Sequence, residues 1–390
     1  MNTWLIRINK RPVQLQLLLL AWVAVQGALF FSYRIKPILE SEKYIYAARY
    51  LISNGHFTEL RYYFYLTTTL VIALCLKTGL GFGGVVFFQL VCNLLATYCF
   101  YTSLYKLQQK LYSALLATLL LIFCIPYQTW NFYLYTESFF YSFILLFFAY
   151  CLRPARLSFR IIAIQFLLLA IVVVSRPLGI LFLPCWIIFL VEKSPRRVRP
   201  PLIIAFISGM IVLAYISNLI LGNIGDWKIL TSAENNEIIC DMPIGIKLNL
   251  DVLKNKPPVA QLFAYIRAYP LHFGKLAVER FRYFLLLTRP YYSQLHNLFL
   301  SFLCLVLYVP ILLNVFWAGK NGSNIKPVAF PVAIILVFCA AICLQCDDYH
   351  NRFHHAIIPV FLYCGVFFFI EKLPFDRTLK LKHSHNNYLH

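Results

Sequence analysis

Isolated carboxylates in an otherwise apolar chain are where proton-transfer chemistry would sit. The first pair is Glu40 and Glu42, in Leu39-Glu40-Ser41-Glu42-Lys43-Tyr44. From Tyr44 the apolar residues Ala47, Ala48, Leu51 and Ile52 recur at helical spacing until Asn54-Gly55. That pattern predicts an amphipathic helix lying on a membrane, with both acids at its N-terminus. At about 100° per residue the two acids project about 200° apart, so at most one faces a given site. Acids at this end also suit the helix dipole without any chemistry. A third acid, Glu137, follows Tyr135-Thr136 and opens the run SFFYSFILLFFAY. An ionisable group at membrane depth is costly and points to function by default, although hydrogen bonds to nearby amides would also hold it there.

Cations accompany these acids. Arg176, in Ser175-Arg176-Pro177-Leu178-Gly179, lies between two apolar runs, where it either snorkels to the interface or pairs with a phosphate. Arg61, then Arg267, His272, Lys275, Arg280 and Arg282, and finally Arg352 occupy other polar stretches. Cations around acids suit an anionic lipid-phosphate substrate. The candidate substrate contacts are the cations Arg61, Arg176, Arg280, Arg282 and Arg352, together with Glu42 and Tyr44 in the first acidic stretch. Asp347, Asp348, His350, His354 and His355 are of metal-ligating types but lack a recognised spacing, which favours a solvated loop over a metal site.

The elements that must position these residues are apolar. Hydrophobic residues make up 61% of the chain and charged ones 13%, with a mean hydropathy of +0.71. Soluble domains are typically about 45–50% apolar, and in water this surface would expose aggregating patches. The formal charge of +20 does not indicate nucleic-acid binding, because the basic residues sit in short loops between apolar runs. It fits membrane orientation and anionic head groups. Most of the 12 cysteines lie inside apolar runs and read as packing residues. Cys343 and Cys346 have CxxC spacing without a second pair, so no zinc or thioredoxin-type site is read. A Cys240–Cys346 disulfide stays open if both face an oxidising compartment; nothing in the sequence singles it out.

Apolar runs at about 13–33, 83–105, 110–126, 137–152, 160–176, 178–192, 201–222, 295–317, 328–346 and 356–371 predict an all-α polytopic bundle of about ten transmembrane helices. The first run follows Arg7, Lys10 and Arg11 and has no cleavage signature after it, so it reads as an uncleaved anchor. A further stretch, about 64–80, is decided by parity. If it does not span, Lys106, Lys110, Arg153, Arg156, Arg160, Lys193, Arg196, Arg197, Arg199, Lys320, Lys326 and the basic tail from Lys372 all fall on the cytoplasmic side. It is therefore expected to be a juxtamembrane or re-entrant helix. Both termini are then cytoplasmic, and the long segments 34–82 and 223–294 lie outside. With no internal repeat or low-complexity linker, residues 1–390 read as a single transmembrane domain.

Together these residues resemble the GT-C glycosyltransferases, in particular the bacterial branch of lipid A aminoarabinose transferases and protein mannosyltransferase-like enzymes. Glu40-Ser41-Glu42-Lys43-Tyr44 is similar to the family's D-E-x-x-Y-like motif in the first outside loop, and Ala48-Arg49-Tyr50-Leu51-Ile52-Ser53-Asn54-Gly55 to its A-x-x-L-x-x-G helix. Thr136-Glu137-Ser138 resembles the second acidic motif and Arg176-Pro177 the turn between two spans. The stretches Tyr269-Pro270 to Pro290-Tyr291-Tyr292-Ser293 and Tyr349 to Pro359 are similar to late segments of the family. The likeness covers nearly the whole chain through short motifs. Glutamate stands at 40 where the family has aspartate, and Tyr62-Tyr63-Phe64-Tyr65 replaces a proline-containing stretch.

The resemblance implies a GT-C-like bundle in the bacterial inner membrane with its active site facing outside. A sugar would pass from a polyprenyl phosphate to a glycan, lipid or protein acceptor with inversion. It implies Glu40 as general base and Glu137 as the second acid, with Arg176 and Arg280, Arg282 or Arg352 on the leaving phosphate. A divalent metal, Mg or Mn, is admissible on Glu40 and Glu137, and less so on Asp347, Asp348 and His350. The competing classes are a transporter or flippase of a lipid-linked or anionic substrate, and a non-enzymatic assembly subunit. Against a transporter stand the missing repeat and the crowding of acids on one face.

Overall fold

The computed structural model describes residues 11–108, 111–153, 157–223, 229–320 and 329–369. Arg7, Lys10, Lys110, Arg156, Lys326 and the basic tail from Lys372, which enter the orientation argument, lie outside these residues. Among the described residues the chain is helical, and the only β-contacts are two isolated parallel bridges, Lys36–Tyr133 and Ile239–Asp347.

Helix α1 (Arg11–Tyr33) is followed by the amphipathic α2 (Ser41–Asn54), the short α3 (Leu66–Lys77) and the long α4 (Gly81–Gln108). Helix α2 ends where expected, with Gly55 in the left-handed region at φ 76°. Its packed face holds Ser41, Tyr44, Ile45, Ala47 and Ala48, whereas Ile52, expected on that face, is exposed. Helix α3 covers the stretch assigned to a non-spanning helix and has 12 residues. At 1.5 Å per residue that is about 18 Å, short of a hydrocarbon core of about 30 Å.

Next come α5 (Leu111–Ile122) and α6 (Ile125–Gln128), bent by 65° at the break between them. The expected run to residue 126 stops early because Pro126, which lacks an N–H, starts a new turn instead of continuing the old one. A 3-10 turn at Thr129–Phe132 then leads to α7 (Glu137–Leu152). This helix is apolar all round and buried on nearly every side, as expected of a central helix.

Helices α8 (Phe159–Ser175) and α9 (Phe182–Lys193) follow, joined through Arg176 and a 3-10 turn at Pro177–Leu181. Gly179 is required there, since a Cβ would meet the carbonyl oxygen of Val172 at 2.5 Å. After α10 (Arg199–Asn223), the described part of the long second segment carries α11 (Ile229–Glu234), α12 (Pro258–Ala268) and α13 (Pro270–Leu286), with a mostly irregular stretch between α11 and α12. The chain continues through α14 (Gln294–Lys320), α15 (Ala329–Leu344), α16 (Arg352–Ala356) and α17 (Ile358–Phe369).

All ten apolar runs are helical in their described parts, but several are shorter than a span. Among the described residues three helices are long and apolar enough to cross a membrane, α1, α4 and α14, or four if the bent α5–α6 pair is one span. Helices α7 and α15 have 16 residues and α8 has 17, about 24–26 Å each. Large apolar side chains on α1 and α14 point outward, Leu20 at 68% and Phe302 at 63% exposure, as lipid-facing residues do. Between helices the buried polar groups pair across the bundle: Trp22 Nε1 donates to Asn93 at 2.8 Å and Gln26 Nε2 to Gln128 at 2.9 Å.

Cys240 and Cys346 form a disulfide across 106 residues with Cα atoms 5.0 Å apart. It lies beside the Ile239–Asp347 bridge, where Asp347 N donates to Ile238 O at 2.8 Å and Cys240 N to Asp347 O at 2.9 Å. The open alternative at Cys240 is thereby closed, and Cys343 remains a free thiol.

Candidate functional site

Side chains from distant segments meet at the N-terminus of α7. Arg352 is the hub. Its Nη1 donates to Glu40 Oε2 and, at 2.8 Å, to Glu137 Oε1. Its Nε and Nη2 fork onto the two oxygens of Asp348 at 2.8 Å each. Arg176 Nη1 donates to the same Oε1 of Glu137, a carboxylate with no exposed surface. Glu40 Oε1 accepts from Lys43 Nζ at 2.6 Å and from the Tyr44 hydroxyl at 3.1 Å.

Local sequence explains each placement. Glu40 is the residue before α2, so Lys43 and Tyr44 come round to it one turn later. Lys36 N donates to Phe132 O at 2.8 Å, which ties the first segment to the chain entering α7. Pro177 and Gly179 turn the chain at the end of α8 and leave Arg176 facing inward. Asp348 and Arg352 stand four residues apart around Asn351, whose φ is 58°.

The cluster is electrically balanced, with Glu40, Glu137 and Asp348 facing Lys43, Arg176 and Arg352. Aromatic rings wall it. The Arg352 guanidinium lies 5.9 Å from the Trp130 ring centre, that of Arg176 5.7 Å from Phe353, and Lys43 Nζ 4.9 Å from Tyr44. Behind it, Arg289 Nη2 pairs with Asp347 at 2.5 Å and reaches Asp348 O at 3.2 Å, with the Arg289 and Asp347 side chains both fully buried.

Burial pushes the Glu40 carboxyl up, but the charges of Arg352, Lys43 and Arg176 outweigh it and hold it well below the usual range. Asp348 behaves alike: burial raises it, and Arg352 with Arg176 brings it below its ordinary value. For Asp347 burial wins over Arg289 and its carboxyl rises to about 6. A lowered folded pKa contributes stability above the unfolded value, here 4.5 for Glu40, which is lost as pH falls through the folded pKa. Asp347 acts oppositely; its contribution is complete below 3.8 and is lost as pH rises through about 6. The melting temperature is therefore expected to fall on acidification below about 4.5, and less steeply in Glu40→Gln. Equal acid slopes in the two proteins would remove the ion-pair account.

The other expected residues fall elsewhere. Glu42 points to solvent, whereas Tyr44 belongs to the cluster. Arg61 lies on a 3-10 turn, Leu60–Tyr65, and engages Glu59. Arg282 is 58% exposed and pairs with Glu279. Arg280 is buried, with Nε donating to Glu237 O at 2.9 Å and Nη2 to Ser232 Oγ at 3.2 Å, so it ties α13 to α11 rather than facing a substrate. The 347–355 stretch is not a solvated loop: Asp347, Asp348, His354 and His355 are buried, because arginines compensate both carboxylates, and only His350 of the named group is exposed. Spacing held one overlooked signal, the four-residue step from Asp348 to Arg352. The parts played by Lys43, Trp130 and Arg289 left none.

The carboxylates that a divalent metal would need are engaged by arginine in this arrangement. Glu40 and Glu137 already share one guanidinium and Asp348 is taken by its fork. Among the described residues no three His, Cys, Asp or Glu side chains gather as a ligand set, Asp347, Asp348 and His350 included.

Compared with known protein families, curated proteins and solved structures, the chain matches none.

Proposed function

We propose that the chain is a GT-C-like glycosyltransferase of about ten spans, with both termini in the cytoplasm of a bacterium and its site on the outer face of the inner membrane. It moves a sugar from a polyprenyl-phosphate donor to an acceptor hydroxyl. The observation that carries this reading is the convergence of Glu40 and Glu137 on Arg176 and Arg352, from four separated segments. The Cys240–Cys346 disulfide supports the outer-face placement, since such bonds persist in oxidising compartments and this one lies two residues from Asp348.

In the proposed reaction the acceptor oxygen attacks the anomeric carbon from the face opposite the phosphate. The bond from that carbon to the phosphate oxygen breaks, and its electron pair leaves with polyprenyl phosphate. Glu40 takes the acceptor's hydroxyl proton. Glu137 holds Arg176 and Arg352 at the position where negative charge develops. At rest Arg352 occupies Glu40 Oε2. A donor phosphate draws that guanidinium toward itself and frees a basic lone pair on Glu40. No step runs through a metal.

The direct experiment is reconstitution in liposomes with a panel of polyprenyl-phosphate sugars, followed by mass analysis of acceptors. Arg176→Ala is expected to raise the donor KM by about 10-fold or more, because it removes a charge-assisted contact to phosphate. Arg176→Lys rescues only part, since an ammonium lacks the planar fork. Truncation is not neutral for folding, as an interfacial snorkel would be, because Arg176 pairs with fully buried Glu137. Unchanged donor KM in both variants would take Arg176 out of donor binding. Movement of the lipid across the bilayer without any transfer would favour the transporter reading.

A further inference from the structure

Aromatic rings run without a gap along the rim of the acid cluster. Trp130, whose face carries Arg352, meets His350 with ring centres 6.2 Å apart. His350 meets Tyr349 at 4.9 Å, and Tyr349 stacks on Tyr291 at 4.2 Å with the planes 10° apart. Tyr349 and His350 are exposed, the former at 40%. The backbone beneath them is fixed. Tyr291 and Tyr292 donate their hydroxyls to Tyr349 O, and His350 N donates to Asp348 Oδ1 at 2.9 Å. The same carboxylate that forks Arg352 therefore also holds the ledge.

Tyr and Trp gather at membrane interfaces as anchors, each with one end in water and one in lipid. Anchors of that kind spread around a perimeter. Here the rings come from three separated segments, collect into one ledge and end on the arginine that bridges the two acids. A cationic ligand is disfavoured there, because Arg352 and Arg176 lie next to the ledge and the rings do not close into a box. A pyranose fits. The negative face of an aromatic ring attracts the polarised C–H bonds on one face of the sugar. The hydroxyls at its edge then reach the imidazole of His350 and the charged groups behind it.

We propose that the ledge of Tyr349 and His350, backed by Trp130, binds a carbohydrate acceptor and presents one of its hydroxyls to Glu40. This rests on the transfer reading and narrows it, naming a saccharide rather than a lipid or a protein side chain as the accepting group.

Saturation-transfer NMR on the full chain in nanodiscs, with a panel of methyl glycosides of common hexoses and N-acetylhexosamines as probes, tests binding without any donor. At least one glycoside is expected to receive saturation at its ring C–H protons. The signal should fall in Tyr349→Ala and in His350→Ala, and persist in Tyr46→Ala, an aromatic residue 56% exposed on the far side of α2. With donor present, Tyr349→Ala should raise the KM for that glycoside by about 10-fold with kcat within about 2-fold, the size of one aromatic contact. No saturation of any glycoside, or an undiminished signal in both ledge variants, overturns the proposal. Binding that behaves as expected while every polyprenyl-phosphate sugar stays inert leaves the ledge standing and removes the transfer reading. Transfer to a glycoside with wild-type KM in Tyr349→Ala does the reverse.

Discussion

Glu40→Gln is expected to slow sugar transfer by about 10²–10⁴-fold, the usual contribution of a positioned base, with expression and donor binding largely kept. The amide is nearly isosteric, and its carbonyl still accepts from Tyr44. It cannot take a proton from the acceptor hydroxyl. The glutamate side chain is 25% exposed, so the folding effect is modest beside the kinetic one. Glu42→Gln is the matched control, the same change two residues away on a solvent-facing side chain, and it should be mild. Wild-type transfer by Glu40→Gln would end its assignment as base. If Glu42→Gln were dead at the same time, the base would be the later acid. Loss in neither would return the protein to the transporter or subunit classes.

Arg352→Ala should cost more in stability than any other single change at the site, about 3–5 kcal/mol, because it leaves buried charge uncompensated. It strands Asp348 and removes one partner each from Glu40 and Glu137. Activity would vanish with it, so the variant alone cannot separate folding from chemistry. Pairing Arg352→Met with Asp348→Leu does. Replacing both members of a buried ion pair by apolar groups removes the uncompensated charge at Asp348, so the double variant should regain part of the lost melting temperature and still transfer nothing. A stable double variant that transfers at the wild-type rate would show that Arg352 only holds the fold.

Local features of this arrangement were legible in the sequence. The helical spacing from Tyr44 and the Asn54-Gly55 stop predict α2. The angular separation of Glu40 and Glu42 leaves room for only one of them on a given face, and in the structure Glu40 joins the ion-pair cluster while Glu42 faces solvent. The start of α7 at Glu137 was equally local, an acid at the edge of an apolar run.

Long-range pairing was not legible. Glu40 and Arg352 lie 312 residues apart, and nothing near either one marks the other. Arg280 and Arg352 are the same residue type in similar polar stretches, yet one binds backbone carbonyls and the other bridges acids. Only the surrounding elements decide that. The Cys240–Cys346 bond was an open pairing that nothing in the sequence singled out, whereas Pro126 could have placed the break after α5.

The sharing of Arg352 Nη1 between Glu40 and Glu137 has a consequence for the order of events. Under the proposed reaction, an acceptor that arrives first meets a carboxylate already occupied by a guanidinium and finds no proton sink. Water meets the same closed state. Proton transfer to Glu40 then waits on the donor whichever substrate binds first, and futile hydrolysis of the activated lipid is suppressed until its phosphate has engaged the arginine.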